Sequence, residues 1–143
     1  MKALYDIVKR FEGCKLQAYK CPAGVWTIGW GSTGPDVSEG SKWTQQQADA
    51  RLEADLDKFM AGVLRYSPVL NDHPNRLAAV TSFAYNLGLG NYQKSTLRKH
   101  IDAKQWDDAA KEFPKWNRAG GKVLAGLTRR REAEQDLFNQ KEV

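Results

Sequence analysis

The sequence predicts an α+β fold, with a small antiparallel sheet lobe beside a larger, mostly helical lobe. Three observations carry this. Apolar residues recur at helical spacing over most of the chain, the pattern changes to period two with turns between Lys15 and about Val37, and no strand pattern follows it. With 143 residues the chain is long enough for one domain and short for two. Residues 1–143 are therefore read as one domain, with an N-terminal helix and β lobe over about 1–43 and a helical lobe over about 44–143.

Residues 3–12 form the first helical stripe. Ala3, Leu4, Ile7, Val8 and Phe11 share one face, Lys2, Asp6, Lys9 and Arg10 the other, and Gly13 is a fitting stop. Glu12 then falls on the last turn, where the negative end of the helix dipole disfavours a second negative charge. Beside Phe11, its carboxyl is expected to keep its proton to higher pH than usual.

Leu16–Tyr19 reads as a strand and Cys21-Pro22-Ala23-Gly24 as a tight turn. Val25–Gly31 reads as a second strand. Trp26, Ile28 and Trp30 point to one side, and Val25, Thr27, Gly29 and Gly31 to the other. Large groups on one face and almost none on the other imply a close approach to the backbone there. Gly34-Pro35-Asp36 ends the sheet.

Thr44 and Gln47 make a capping box, followed by a helical stripe (Ala48, Leu52, Leu56, Phe59, Met60, Val63) to about Tyr66, closed by Pro68. Pro74 suits a first helical position, and the helix after it is apolar nearly all round, which marks it as the buried central one. Asn86, near its end, either caps a neighbour or faces a cleft. Shorter helices are expected at Ser95–Ala103, Trp106 to about Phe113, and Thr128–Phe138, with an irregular stretch at Trp116–Gly121.

Composition narrows the function. Hydrophobic residues make up 41% and charged residues 27%, ordinary globular usage. No apolar run reaches the ~18–20 residues of a membrane span, and no secretory signal opens the chain. Cys14 and Cys21 fit a reducing compartment. The net charge is +5, and between Lys94 and Arg131 eleven Lys or Arg stand against four Asp or Glu. A basic face of this kind either attracts a polyanion or is a solvated helix surface.

Glycoside hydrolysis needs a proton donor to the leaving oxygen and a second group that attacks or handles water on the other face. Glu12 suits the first role. For the second, no carboxylate stands nearby: the next acids are Asp36 and Glu39. The positioned alternatives are Cys21, as base or nucleophile in its thiolate form, and Thr27, which can place a water by hydrogen bonding.

The spacing of Glu12, Cys21 and Thr27, followed by Ile28-Gly29-Trp30-Gly31, resembles the signature of phage-type lysozymes, glycoside hydrolase family 24. The resemblance continues through Ser82–Gly88, Ser95-Thr96-Leu97, Trp116–Val123 and Gly126–Glu134, in the family's order. It implies a lysozyme-like fold with a cleft between the lobes. It also implies an endolysin that cuts peptidoglycan between N-acetylmuramic acid and N-acetylglucosamine with inversion, for host lysis. By resemblance Glu12 is the general acid, Cys21 and Thr27 hold the water, and Gly29, Gly31, Thr33, Tyr85, Asn86 and Thr96 meet the glycan. Cys21 stands where the best-known members carry Asp, and Ser32 where a His is frequent. Family members without a membrane segment wait in the host cytoplasm for a holin, which the missing signal matches, and the basic C-terminal third matches an anionic envelope. The chain is expected to act as a monomer without metal or cofactor.

Two rivals predict otherwise. A nucleic-acid module would use the basic third but leaves residues 12–31 unexplained. A peptidase pairing Cys21 with His73 or His100 needs histidines that read as structural or exposed, and a zinc site from these residues fails the usual ligand spacing.

Overall fold

Thr44 begins the longest helix by the reciprocal capping its sequence prescribes. The Gln47 amide N–H donates to the Thr44 hydroxyl at 3.1 Å, and the Thr44 N–H donates to the Gln47 side-chain carbonyl at 2.8 Å. The computed structural model describes residues 1–141. In chain order these are helix α1 (Lys2–Glu12), strands β1 (Lys15–Lys20) and β2 (Trp26–Gly29), and helices α2 (Gln45–Tyr66), α3 (Pro74–Leu87), α4 (Leu89–Lys94), α5 (Thr96–Asp102) and α6 (Trp106–Ala110). Strands β3 (Arg118–Ala119) and β4 (Lys122–Val123) and helix α7 (Ala125–Asn139) complete them, with 3-10 turns at Pro68–Asp72 and Phe113–Lys115. The expected α+β class holds. Among the described residues no helix is long and apolar enough to cross a membrane.

The chain divides into two compact units, Val8–Lys58 and Met1–Ile7 with Phe59 onward. The boundaries of the units fall inside α1 and α2. The start of α2 belongs with the sheet, since a Cβ at Gly29 would stand 3.4 Å from that of Ala48.

In the smaller unit β1 and β2 pair antiparallel, with Lys20 opposite Trp26, Tyr19 opposite Thr27, and Lys15 opposite Gly29 across an irregular step. The other edge of β1 is paired too: the Ala18 N–H donates to the Ser41 carbonyl at 2.9 Å and the Trp43 N–H to the Leu16 carbonyl at 2.8 Å. Backbone bonds on both sides hold β1 although most of its side chains are exposed. The second strand is shorter than its alternation implied. Gly29 (φ +65) and Gly31 (φ +95) take left-handed conformations and turn the chain back, so that Ile28 and Ser32 exchange backbone bonds of 2.9 and 2.8 Å. Period two continued through Trp30 in the sequence, but positive φ at two glycines ended the strand.

In the larger unit every residue from Leu77 to Ala84 of α3 is buried, as expected for a central helix. Phe83 anchors it, with Tyr92, Phe113 and Trp116 edge-on around its ring. Burying each such side chain contributes roughly 1.5–3 kcal/mol. The Tyr92 hydroxyl is satisfied by Ser67 at 2.6 Å, and burial pushes its pKa up.

Helix α7 packs on α3 through a charged cluster. Glu134 is fully buried; its carboxylate accepts the Ser82 hydroxyl at 2.6 Å and pairs with Arg131 at 2.8 Å and Arg130 at 3.3 Å. Arg130 and Arg131 are 3% and 0% exposed. They are therefore core ligands of a carboxylate, and the surface excess of the basic third is smaller than its sequence count.

Three elements differ from expectation. Helix α4 follows Gly88 directly, and α6 ends at Ala110, with a 3-10 turn at Pro114 after it. The stretch Trp116–Gly121, expected to be irregular, enters a hairpin: Arg118–Ala119 pairs with Lys122–Val123 around Gly120-Gly121, whose φ values of +58 and +78 meet the two-residue hairpin requirement.

Glu134→Ala leaves two buried guanidinium groups without their carboxylate. Urea unfolding is expected to show a loss of about 3–5 kcal/mol, against about 1.5–3 kcal/mol for Ser82→Ala, which removes the hydroxyl's bonds to Glu134 and Arg130.

Candidate active site

Four residues close the hairpin. The Cys21 N–H donates to the Val25 carbonyl at 3.0 Å and the Gly24 N–H to the Cys21 carbonyl at 2.8 Å, with Gly24 at φ +80. Cys21 directly follows β1, two residues after Tyr19, and its thiol is within hydrogen-bonding reach of the Thr27 hydroxyl. Register puts Thr27 opposite Tyr19, on one face of the hairpin. Thr27 is buried, Cys21 half-buried and Tyr19 exposed, so the face runs from core to solvent.

The charges converge on this face. Burial first, then the negative charges of Glu12 and Cys21, push the Tyr19 phenol above its ordinary pKa. The Tyr19 hydroxyl therefore stands within electrostatic reach of both groups. Glu12 is half-buried on the last residue of α1, after which Gly13 (φ +65) releases the chain toward β1. The Thr27 hydroxyl lies within hydrogen-bonding reach of the Cys21 thiol, and Glu12 within electrostatic reach of Tyr19.

The Cys21 thiol is held below its usual pKa. The Val25 N–H is the largest cause, opposed by burial and helped by the Ala23 N–H and the Thr27 hydroxyl. The Thr27 hydroxyl also donates to the Val25 carbonyl at 3.0 Å. A hydroxyl has one proton, so the carbonyl and the thiolate compete for it.

The other expected site residues are distributed. Gly29 is buried, and the close approach it permits is made by the chain's own Trp43, whose ring carbons would lie 3.1 and 3.3 Å from a Cβ. Gly31 lies in the chain reversal. Thr33 is exposed, and its carbonyl accepts from Arg51 Nη2 at 2.6 Å. Tyr85, Asn86 and Thr96 belong to the larger unit. Tyr85 packs edge-on to Phe59 at 5.3 Å, the Asn86 carbonyl accepts from Arg131 Nη2 at 2.8 Å, and exposed Thr96 opens α5 behind the Ser95 cap. Of the two histidines, His73 contacts Arg76 and Trp106, and His100 contacts Gln105 at 2.7 Å.

Tyr19 and Arg51 are not singled out by the sequence pattern. Tyr19 carries a local signal, standing two residues before Cys21 at the end of β1. Arg51, at i, i+4 from Asp55, has only that of an ordinary helix ion pair.

The phage lysozyme family model matches residues 9–134. That match covers most of the chain, including Glu12, Cys21 and Thr27. The chain belongs to the phage lysozyme family. It is 42% identical over 136 residues to the endolysin of Bacillus phage PZA, covering 94% of this chain and 52% of that protein. The chain thus spans about half the length of the Bacillus phage relatives it matches. The endolysin of Acyrthosiphon pisum secondary endosymbiont phage 1 is 38% identical over 136 residues, with 92% of each chain covered. Among solved structures, the muramidase domain of SpmX from Asticaccaulis excentricus superposes with a TM-score of 0.86 at 31% identity, covering 99% of this chain and 97% of that one. The phage lysozyme family member described here therefore has a lysozyme-like α+β fold.

Its thiol gives a direct check. In a Cys14→Ser background, the iodoacetamide reaction of Cys21 followed against pH should have its midpoint below that of a free cysteine, ~8.5. Thr27→Val should move the midpoint upward.

Proposed function

We propose that this phage lysozyme family member hydrolyses the β-1,4 bond between N-acetylmuramic acid and N-acetylglucosamine in bacterial peptidoglycan, with inversion. The observation that carries this reading is the single face on which Tyr19 feels the charges of both Glu12 and Cys21, with Thr27 opposite it in register. A proton donor and a water-handling group are what glycoside hydrolysis requires. The similarity to endolysins and to a muramidase domain supports the substrate class.

Glu12 gives its proton to the glycosidic oxygen as the bond to the anomeric carbon breaks. A water attacks that carbon from the other face, held by the Thr27 hydroxyl, and passes its proton to the Cys21 thiolate. The hydrogen bonds that lower the thiol pKa serve this step, because only the thiolate accepts a proton. Gly29, Gly31, Thr33, Tyr85, Asn86 and Thr96 are the glycan contacts carried over by resemblance. Exposed Arg118, Lys122 and Arg129 supply the attraction to an anionic envelope. In this reading the chain is a monomer that reaches the wall from the host cytoplasm by holin-dependent release, and lyses the cell.

Digestion of purified peptidoglycan, scored by new reducing ends against new amino groups, tests the assignment. Glu12→Gln should lose on the order of 10²–10⁴-fold in reducing ends. Cys21→Ala should lose less, roughly tenfold, since Thr27 still orients the water. Cys21→Asp should stay active, with its acidic limb moved to lower pH because a carboxyl ionises near ~4. New amino groups in place of reducing ends, or full activity in Glu12→Gln, would sink the reading.

A further inference from the structure

Arg51, in the second turn of α2, donates to acceptors in three places. Its Nη1 meets Asp36 Oδ2 at 2.6 Å, its Nη2 meets the Thr33 carbonyl at 2.6 Å, and its Nε meets Asp55 Oδ1 at 3.0 Å. The guanidinium also lies 5.5 Å from the Trp43 ring centre. Asp55 in turn accepts the Ser32 hydroxyl at 2.8 Å. Ser32, almost fully buried, exchanges two backbone bonds with Ile28, the neighbour of Thr27.

The segment Thr33–Asp36 has little else to hold it. All four residues are exposed, Gly34 has φ +135, and the next buried side chain is Val37. A Cβ at Gly34 would stand 3.2 Å from the Arg51 guanidinium, so the loop passes directly over it. A planar fork with donors at fixed angles can bind a carbonyl and two carboxylates at once, and a lysine ammonium cannot reproduce that geometry. Exposed ion pairs alone contribute little to stability. An arginine with two bonds to one exposed loop, and a third to the helix carboxylate that holds Ser32, is better explained by the need to fix that loop's shape.

We infer that Arg51 is a positioning residue for substrate, fixing the Thr33 loop through the Thr33 carbonyl and through the Asp55–Ser32 hydrogen bond. The inference rests on the glycan-cleaving reading above and adds a residue that touches no substrate itself. The loop leaves the hairpin immediately after the Gly29–Gly31 reversal, so Arg51 also sets the direction in which the chain departs from Thr27. Loss of the clamp loosens binding of the glycan while Glu12 and Cys21, carried by α1 and the β1–β2 turn, keep their places.

Steady-state kinetics on soluble oligomers of alternating N-acetylglucosamine and N-acetylmuramic acid provide the test, using wild type, Arg51→Gln, Arg51→Lys and Ser32→Ala. KM is expected to rise about tenfold in Arg51→Gln, with kcat within about threefold of wild type. Arg51→Lys should fail to restore KM, because the charge remains and the fork is lost. Ser32→Ala, which removes only the outer bond, should raise KM a few-fold, and it carries the test if Arg51→Gln does not fold. An unchanged KM in the folded variants, even with a lower melting temperature, overturns the inference and leaves Arg51 a structural staple. A kcat loss larger than the KM rise overturns it too. Wild type releasing no reducing ends would instead remove the glycosidase reading itself.

Discussion

Glu134 could not occupy the interior of the larger unit without Arg130, Arg131 and Ser82 around it, because an unpaired buried carboxylate costs several kcal/mol. That requirement fixes α7 against α3. The same arginines reach further, Arg131 to the Asn86 carbonyl and over the Phe83 ring at 5.2 Å. The end of α3, with Tyr85 and Asn86, is thereby held from the core side. In the smaller unit Arg51 plays the comparable part with Asp36, Asp55 and the Thr33 carbonyl, although there the cluster is half open to solvent. In both units a guanidinium fork takes its acceptors from separate segments.

The site chemistry depends on donors rather than on depth. Cys21 is lowered by three backbone N–H groups, those of Val25, Ala23 and Cys21 itself, and by the Thr27 hydroxyl, all delivered by the turn and strand next to it. No cationic partner is among the causes. The local hairpin geometry alone is enough to favour the thiolate.

Much of this was legible from residues alone, for identifiable reasons. The Thr44 capping box, Pro74 at a helix start and the all-round apolar stripe of α3 are local signals, and each was realised where expected. The nearness of Cys21 and Thr27 was legible because a tight turn between two strands fixes which residues meet. What failed were features set by partners far along the chain. The strand pattern implies a close approach at Gly29 and Gly31, but nothing local reveals that Trp43 makes it at Gly29. Arg130 and Arg131 looked like surface charge because nothing local reveals that Ser82, fifty residues earlier, shares their carboxylate. Arg51 and Asp55 stood at i, i+4 and resembled any exposed helix pair, since their bonds to Thr33 and Ser32 appear only in three dimensions.

The short turn at Cys21–Gly24 bears on how such a chain can change over generations. A substitution at position 21 leaves the backbone bonds of the turn intact, since they run through its N–H and carbonyl. A single inserted residue in the turn would send either Thr27 or its partner to the opposite face, and every bond beyond it would shift with the pleat. The length of this turn is thus held more tightly than the side chain at its start.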